Sequence, residues 1–492
     1  MLRVLAGVDR LGGHTPSDFP LVSLTQPDVD ALAGAADVLP LTPLQEGIYF
    51  QSAFEDTGTD PYVVQQVIEL TGPVDAAALH RGLQAVVDRH AALRVGVRAV
   101  SDGRVVQVVG DNVQVPMEVL DLTGVADPEQ RVEQVLAADR ARGFDFDRGP
   151  LLRYTLAQVK HQKFLLLQSI HHIVADGWSV PVMLRELMAL YSVEGKPLAL
   201  PTPTPYRSYL EWLGARDRRA SLAVWREALA DAPPEPWNFR SRRRRESPGY
   251  TVSGRHCVGG HRRAVRGGPA RGLTLSTLVH GTWGLVLGRL TGWEDVVFGS
   301  TVSGRGGDLP GIETMVGLFI NTVPTRLRYR PTDTVAETLA RWQQEQSTLL
   351  DHQYLGLPEL RREAGLQDLF ETLVVFENYP LGDGAVADPT GAVHLTGIRF
   401  DEHPPYPMTL IVVPGDALTL ELKYDAARID AATATRFAES TVAYLAELTR
   451  DVDQNVSSVA LASREPIDAA LRDVEAEFPR DDGDGAARGA GR

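Results

Sequence analysis

The stretch His171-His172-Ile173-Val174-Ala175-Asp176-Gly177 places two imidazoles, a carboxylate and a glycine on one tight turn. Just upstream, Lys163-Phe164-Leu165-Leu166-Leu167-Gln168-Ser169 is a short apolar run of buried-strand type; downstream, Leu184, Leu187, Met188 and Tyr191 recur at helical spacing. The histidines therefore stand where a strand ends and a helix is about to begin, and loops held by rigid elements are where reacting groups are usually placed. A neutral imidazole with a near-neutral pKa can take a proton from a nucleophile. A carboxylate four residues on is too distant along an extended chain to share that work, so Asp176 is expected to anchor the turn. Turned inward, it needs a cationic partner, because a buried unpaired carboxylate is costly. Gly177 allows a positive φ or the close approach of a substrate. Such residues can also be merely solvated, but the strand before them and the helix after them weigh against that.

At 492 residues the chain has room for two or more domains, and 43% hydrophobic content supplies ordinary cores. A net charge of -15 argues against a general nucleic-acid or anionic-membrane binder. The opening Met1-Leu2-Arg3-Val4-Leu5-Ala6-Gly7 is too short and too soon interrupted for a signal peptide, and no apolar run is long enough for a membrane span. Cys257, the single cysteine, excludes an intrachain disulfide framework and any multi-cysteine metal site. No metal is expected, and a soluble cytoplasmic protein is the default.

Residues 1 to about 36 read as an N-terminal linker, with a turn-rich piece from Thr15 to Leu21 and a short helical stretch from Asp28 to Ala36. Leu11-Gly12-Gly13-His14-Thr15 is similar to a phosphopantetheine-attachment loop, but threonine replaces the needed serine and no carrier-sized bundle surrounds it. Folded structure is expected from Asp37, where Leu39 to Gly47 enters a helix through two prolines and a threonine cap. Strands are expected over Val63 to Leu70, Arg104 to Val109 and Leu151 to Val159. Helices are expected after the Asp75 cap and over Pro128 to Arg142, which makes a mixed α/β core. A proline-rich crossover from Pro197 to Pro205 suits a connection between lobes, and a helical stretch with Tyr206, Tyr209 and Trp212 then runs to about Asp231. The second lobe repeats the rhythm. Leu273 to Leu290 and Thr334 to Leu350 are helical, Val296 to Gly299 and Leu373 to Phe376 are strands, Ser303-Gly304-Arg305 opens a glycine-rich loop, and Pro414-Gly415-Asp416 turns a hairpin. A final helix spans Asp430 to Arg450, and a polar, disordered tail is expected over 462–492. Ten arginines fall between Arg240 and Arg271, and no helical or strand period survives there; a basic docking patch, a solvated loop and a local frame disturbance are the three readings.

Taken together, these stretches resemble the condensation domains of nonribosomal peptide synthetases, from about Leu39 to Leu461. His171 to Gly177 matches the family's HHxxxDG, Leu41 to Phe50 its first motif, and Arg89-His90-Ala91-Ala92-Leu93-Arg94 the one written RHExLR. Tyr206 to Trp212, Gly317 to Thr322 and Asp351-His352-Gln353-Tyr354 fall where later motifs lie. HHxxxDG alone is shared with chloramphenicol acetyltransferases; the ordered series is more specific.

The resemblance implies an α/β fold of two chloramphenicol-acetyltransferase-like lobes, 37–205 and 206–461, forming a V-shaped pseudodimer around a central tunnel. Donor and acceptor peptidyl carrier proteins would deliver substrates tethered to phosphopantetheine, the domain having no cofactor of its own, and neighbouring synthetase domains would include adenylation and possibly epimerisation domains. The acceptor amine would attack the donor thioester to form a peptide bond. His172 would be catalytic, as general base or as positioner of the amine, with the Gly177 amide as oxyanion donor. His171 and Asp176 would be structural, Arg94 the first candidate partner for Asp176 and Arg305 the second. Trp178 and Asn321 would line the tunnel. Leu41 to Gly47, Gly177 to Pro181, Val316 to Thr322 and the lead-in Thr15 to Leu21 look most like members that accept a D-configured donor downstream of an epimerase. Ile170, in place of a third histidine, argues against the variants that close a β-lactam ring. Ala91 departs from the family's acidic residue, and the arginine-rich stretch stands where a strand and helix usually lead into the second lobe. Glu402 to Pro407 looks like part of a crossover, with His403 a loop residue. The alternatives are a free-standing acyltransferase using acyl thioesters and a non-catalytic partner-recruiting relative, the latter disfavoured by the intact histidine motif.

Overall fold

The computed structural model describes residues 13–54, 60–192, 200–233, 250–258, 272–366, 368–378, 391–402, 404–415 and 418–459. The disordered-tail expectation for 462–492, most of the arginine-rich stretch and His403 lie outside them.

The first half of the chain builds two sheets. A three-stranded antiparallel sheet takes β1 (Ala35–Pro40), β4 (Val105–Gly110) and β3 (Val95–Ala99) in that order. A five-stranded sheet runs β12-β2-β7-β6-β5, with β2 (Val63–Thr71), β5 (Met117–Asp121), β6 (Leu152–Lys160), β7 (Lys163–His171) and β12 (His394–Asp401). Four helices accompany them: α1 (Gln26–Ala31), α2 (Pro43–Phe54), α3 (Ala76–Arg89) and α4 (Pro128–Arg142). Asp75 caps α3, its carboxylate accepting the Ala77 and Ala78 amides, and the helix buries Leu79, Leu83, Val86 and Val87. After the histidine turn, α5 (Ser179–Ser192) packs Leu184, Leu187 and Met188 into the same core.

The linker expected over residues 1–36 is corrected where the structure describes it. Thr25 caps α1 in a capping box, and Phe19, Val29, Leu32, Ala35 and Val38 bury against Val100, Val106 and Val108 of the three-stranded sheet. A strand, β1, lies where the helical stretch was expected to end.

In the second half, α6 (Tyr206–Gly214) and α7 (Arg218–Ala228) replace the single helical stretch expected, because Asp217 starts a fresh cap at Ala220. Tyr206, Tyr209 and Leu210 belong to the first half's core cluster, so the lobe boundary drawn at 205/206 does not coincide with the packing. The six-stranded sheet is β10-β9-β11-β13-β14-β8, formed by β8 (Tyr250–Val258), β9 (Asp295–Val302), β10 (Asn321–Arg328), β11 (Thr372–Phe376), β13 (Met408–Val413) and β14 (Leu418–Asp425). The expected hairpin is present: β13 and β14 pair antiparallel from Met408 with Tyr424 to Val413 with Thr419. Strand β8 corrects the absence of any period in the arginine-rich stretch, since it pairs antiparallel with β14 as an edge strand. The sheet is covered by α8 (Leu275–Thr291), α9 (Val335–Leu349) and α11 (Ala431–Arg450), with Trp283, Leu339, Phe437 and Tyr444 in the core; α10 (Leu357–Ala364) packs Leu360 with Trp225 of α7.

One strand ties the halves together. Between β11 and β13 the chain leaves the six-stranded sheet, adds β12 antiparallel to the edge of β2 in the five-stranded sheet, and returns. No helix among the described residues is long and apolar enough to cross a membrane.

Candidate active site

The histidine turn leaves β7 at His171, and its supports come from both halves of the chain. His171 is fully buried; its Nε2 lies 2.9 Å from an Asp60 carboxylate oxygen, and its Nδ1 accepts the Ile173 amide at 3.2 Å. Because Nδ1 accepts, the proton of the neutral ring sits on Nε2 and is donated to Asp60. Burial pushes this imidazole below the ordinary histidine range, against the pull of the Asp60 carboxylate. Burial alone would raise the Asp60 carboxyl, but the His171 hydrogen bond, the Tyr62 amide and the Ser52 hydroxyl hold it below the usual range. Phe146 meets the His171 ring edge-on at 4.8 Å. His171 is thus a neutral strut.

His172 is the partly exposed member of the pair. Its amide donates to the Tyr62 carbonyl at 2.8 Å, which extends the β2–β7 ladder by one rung beyond Val63 and His171. Its Nδ1 is buried and has no hydrogen-bond partner among the described residues. Among the described residues no carboxylate orients this ring through Nδ1 as a serine-protease aspartate orients its histidine.

Gln45, which the sequence pattern alone does not single out, fixes the next peptide. It is 1% exposed; its Nε2 donates to the Ile173 carbonyl at 2.8 Å, and its Oε1 accepts the Thr42 amide at 2.8 Å. The first motif from Leu41 to Phe50 therefore acts through one amide side chain at the start of α2. A glutamine three residues after a threonine at a helix entry is the sequence signal for such a box.

Asp176 closes the turn. Its Oδ1 accepts the Ser179 amide at 3.0 Å, the Ser179 hydroxyl at 2.8 Å and Arg305 Nη2 at 2.9 Å, and its Oδ2 accepts the Phe319 amide at 3.0 Å. Its own amide donates to the Gly317 carbonyl at 3.0 Å. The partner is Arg305, and the preference for Arg94 is corrected: Arg94 donates to the Gly110 and Asp111 carbonyls at 3.1 and 3.2 Å, at the end of β4. The resemblance points to Arg94 first, yet the loop after β9 brings Arg305 across. Gly304, with φ 62°, sits against the Phe319 carbonyl, where a side chain would collide. Arg305 Nη1 then donates to the Ile312 and Met315 carbonyls, and its guanidinium lies 4.0 Å over the Phe319 ring.

Gly177 is not among the residues with positive φ. Trp178 follows it, half-buried, at the entry to α5. Asn321 opens β10 and is buried; its Nδ2 donates to the Gln353 and Leu355 carbonyls, both at 2.7 Å, so it ties down the segment carrying Asp351-His352-Gln353-Tyr354. In that segment His352 Nδ1 and the Tyr354 hydroxyl each lie 2.8 Å from the Ser221 hydroxyl of α7. The motif Arg89-His90 is likewise a brace: Arg89 Nε and His90 Nε2 both reach one carboxylate oxygen of Glu186 on α5, at 2.9 Å each.

The architecture of three sheets with an exchanged strand, and the histidine turn between strand and helix, is the fold of solved condensation domains. Within it, the family model described as Condensation domain matches residues 35–468, and the chain belongs to the condensation-domain family. It is 35% identical over 481 residues to a linear gramicidin synthase polypeptide of Brevibacillus parabrevis, covering 94% of this chain and 6% of that protein. It is 30% identical over 437 residues to a surfactin synthase polypeptide of Bacillus subtilis (strain 168), covering 86% of this chain and 34% of that one. The chain thus spans a small part of the curated relatives it matches. Among solved structures, the first condensation domain of the calcium-dependent antibiotic synthetase, in complex with a substrate analogue, aligns with TM-score 0.73 and 23% identity over 87% of this chain and 100% of that one. The starter condensation domain of rhizomide synthetase, a variant in complex with C8-CoA, aligns with TM-score 0.75 and 22% identity over 89% of this chain and 100% of that one.

Proposed function

We propose that this chain is a peptide-bond-forming condensation domain, joining a donor acyl thioester to the amine of an acceptor, both tethered to the phosphopantetheine of carrier proteins. The observation that carries this is the intact histidine turn, with His172 partly open while its neighbours are locked into backbone support. Kinship with synthases that are 30–35% identical supports it. In the reaction the neutral amine forms a C–N bond at the thioester carbonyl, the tetrahedral centre collapses with cleavage of the C–S bond, and the amine's proton leaves as the thiol is released. An α-ammonium group with pKa near 8 needs little help to become the neutral amine that attacks. His172 holds or receives the proton at the attacking nitrogen, and the Gly177 amide faces the developing oxyanion, an interaction worth roughly 3 kcal/mol where such donors have been removed. Asn321 and Trp178 shape the approach to it. Adenylation and epimerisation domains are the proposed neighbours, and the domain needs no cofactor of its own.

With loaded carriers, His172→Ala is expected to cut dipeptide formation about 100-fold or more while leaving the fold intact; an undiminished rate removes His172 from the chemistry. Running the same assay with an acyl-coenzyme A donor separates the carrier-dependent reaction from a free-standing acyltransferase. The motifs at Leu41 to Gly47 and Gly177 to Pro181 support a D-configured donor. Matched D- and L-donor carriers should differ in favour of D, and equal or reversed rates would reject the subtype.

A further inference from the structure

Where the crossing strand β12 leaves the five-stranded sheet, cations from the two halves of the chain hold adjacent residues. The last ladder pair of β12 is Asp401 with Gln65, so Val63 of β2 lies beyond it, paired on its other side with His171. His171 donates its amide to the Leu151 carbonyl of the segment leading into β6, at 2.9 Å. Val63 and His171 are therefore a non-hydrogen-bonded pair, and the Val63 carbonyl faces away from β7, toward the side where β12 has ended. Arg140, near the end of α4, takes that place. Its Nη1 donates to the Val63 carbonyl at 2.7 Å, and its Nη2 to the Asp401 carboxylate at 2.9 Å and the Asp401 carbonyl at 3.2 Å. The next residue, Glu402, accepts at its carbonyl from Lys423 Nζ of β14 at 3.0 Å. Both cations are shielded, their side chains 11% and 9% exposed. One residue before Val63, the Tyr62 carbonyl holds the His172 amide.

We propose that Arg140 is a positioning residue: it clasps the crossing strand to the start of β2, the strand end laddered to the histidine pair, and so fixes His172 relative to the second half of the molecule. This rests on the reading of His172 as the group at the reaction centre. The same strand and helix offer an internal control. Arg399 of β12 pairs with Glu133 of α4 at 2.6 Å, but both side chains are half exposed, and such pairs contribute little. The two ion pairs differ in the burial of the arginine, since Asp401 is itself half exposed, in the backbone carbonyls that Arg140 also holds, and in distance from the histidines, not in the elements they join.

The test uses the whole chain and the variants Arg140→Gln, Arg140→Lys and Glu133→Gln, with two readouts: amide hydrogen exchange in peptides covering 394–402 and 60–64, and dipeptide formation between loaded carriers. Arg140→Gln should raise exchange in both peptides tenfold or more and lower kcat tenfold or more with KM for the carriers unchanged. Arg140→Lys keeps the charge without the fork and should recover part of kcat; Glu133→Gln should match wild type in both. Wild-type exchange and kcat in Arg140→Gln would overturn the proposal. So would an equal loss in Glu133→Gln, which would mean that any tie between α4 and β12 suffices, or a lowered melting midpoint with kcat intact. Should the wild-type chain itself form no dipeptide, the functional reading fails while the exchange readout still decides the clasp.

Discussion

Replacing Asp176 by asparagine removes one charge from a pair whose side chains are 5% and 0% exposed, Arg305 and Asp176 respectively. The carboxylate accepts from Ser179 N, Ser179 Oγ and Arg305 Nη2 at one oxygen and from Phe319 N at the other. Asparagine has one oxygen. Whichever way its amide turns, the NH2 group faces a donor, either the Phe319 amide or the Ser179 and Arg305 cluster, and the guanidinium is left without its counter-charge. Breaking a buried pair from one side costs about 3–5 kcal/mol, a large share of the roughly 5–15 kcal/mol that holds a folded domain. Urea denaturation followed by tryptophan fluorescence should show that loss in Asp176→Asn. Arg94→Ala, which gives up two hydrogen bonds to carbonyls at the end of β4, should lose only about 1 kcal/mol. The paired replacement Asp176→Leu with Arg305→Met should return much of the stability, because it removes both charges together. An Asp176→Asn variant within about 1 kcal/mol of wild type, or an Arg94→Ala variant as costly, would refute the assignment of Arg305 as the partner on which the turn depends.

Two further outcomes follow from buried groups. Gln45→Ala strands the Ile173 carbonyl and should cost about 1–3 kcal/mol in the same denaturation assay; it should also slow dipeptide formation at a temperature where the variant remains folded, and an unchanged rate would separate Gln45 from the histidine turn. His280 of α8, fully buried between the Ser276 carbonyl and the Ser300 hydroxyl, is pushed down to about 4 by burial, with the Ser276 hydrogen bond opposing. Since an unfolded histidine titrates near 6.5, the unfolded chain binds a proton that the native ring refuses between those values, so stability falls as pH drops from about 6.5 toward 4, by up to about 3 kcal/mol. His171 acts in the same direction. Urea midpoints measured from pH 7 to 4 should decline and His280→Gln should flatten the decline, whereas a level wild-type profile would contradict the buried neutral ring.

Much of this arrangement is legible in the chain itself, because local signals and tertiary structure agree over most elements. Pro128 to Arg142 is a helix in both, the Pro414-Gly415 turn joins the expected hairpin, and the histidines stand at the end of β7. The misses share a cause. Arg305 lies 129 positions from Asp176, and its reach depends on a left-handed Gly304 and on a loop whose apolar residues bury in the first half's core. Local pattern contains nothing of that distance, and the resemblance puts the motif arginine Arg94 first. Strand β8 escapes the pattern because Gly254 and His256 interrupt the alternation of Tyr250, Val252 and Val258, and as an edge strand it needs only one partner. The lead-in reads as a linker because its cluster is small and completed by Val100, Val106 and Val108, which arrive from a later hairpin.

The supports around His172 show how the work is divided. His171 with Asp60, Gln45 with the Ile173 carbonyl, and the Tyr62 carbonyl fix the start of the turn from the first half, while Arg305, Gly317 and Phe319 fix its end from the second. None of these groups bonds Nδ1 of His172. A residue meant to accept and carry a full proton gains from a carboxylate behind it, as the imidazolium must be stabilised; an amine with pKa near 8 sets a lower demand. What remains to be supplied is placement, where a misfit of about 1 Å can cost about 100-fold. A turn anchored from both halves makes that placement depend on how the five-stranded and six-stranded sheets are held together. For this reason the crossing strand and its Arg140 clasp bear on the rate as directly as the residues beside the histidines.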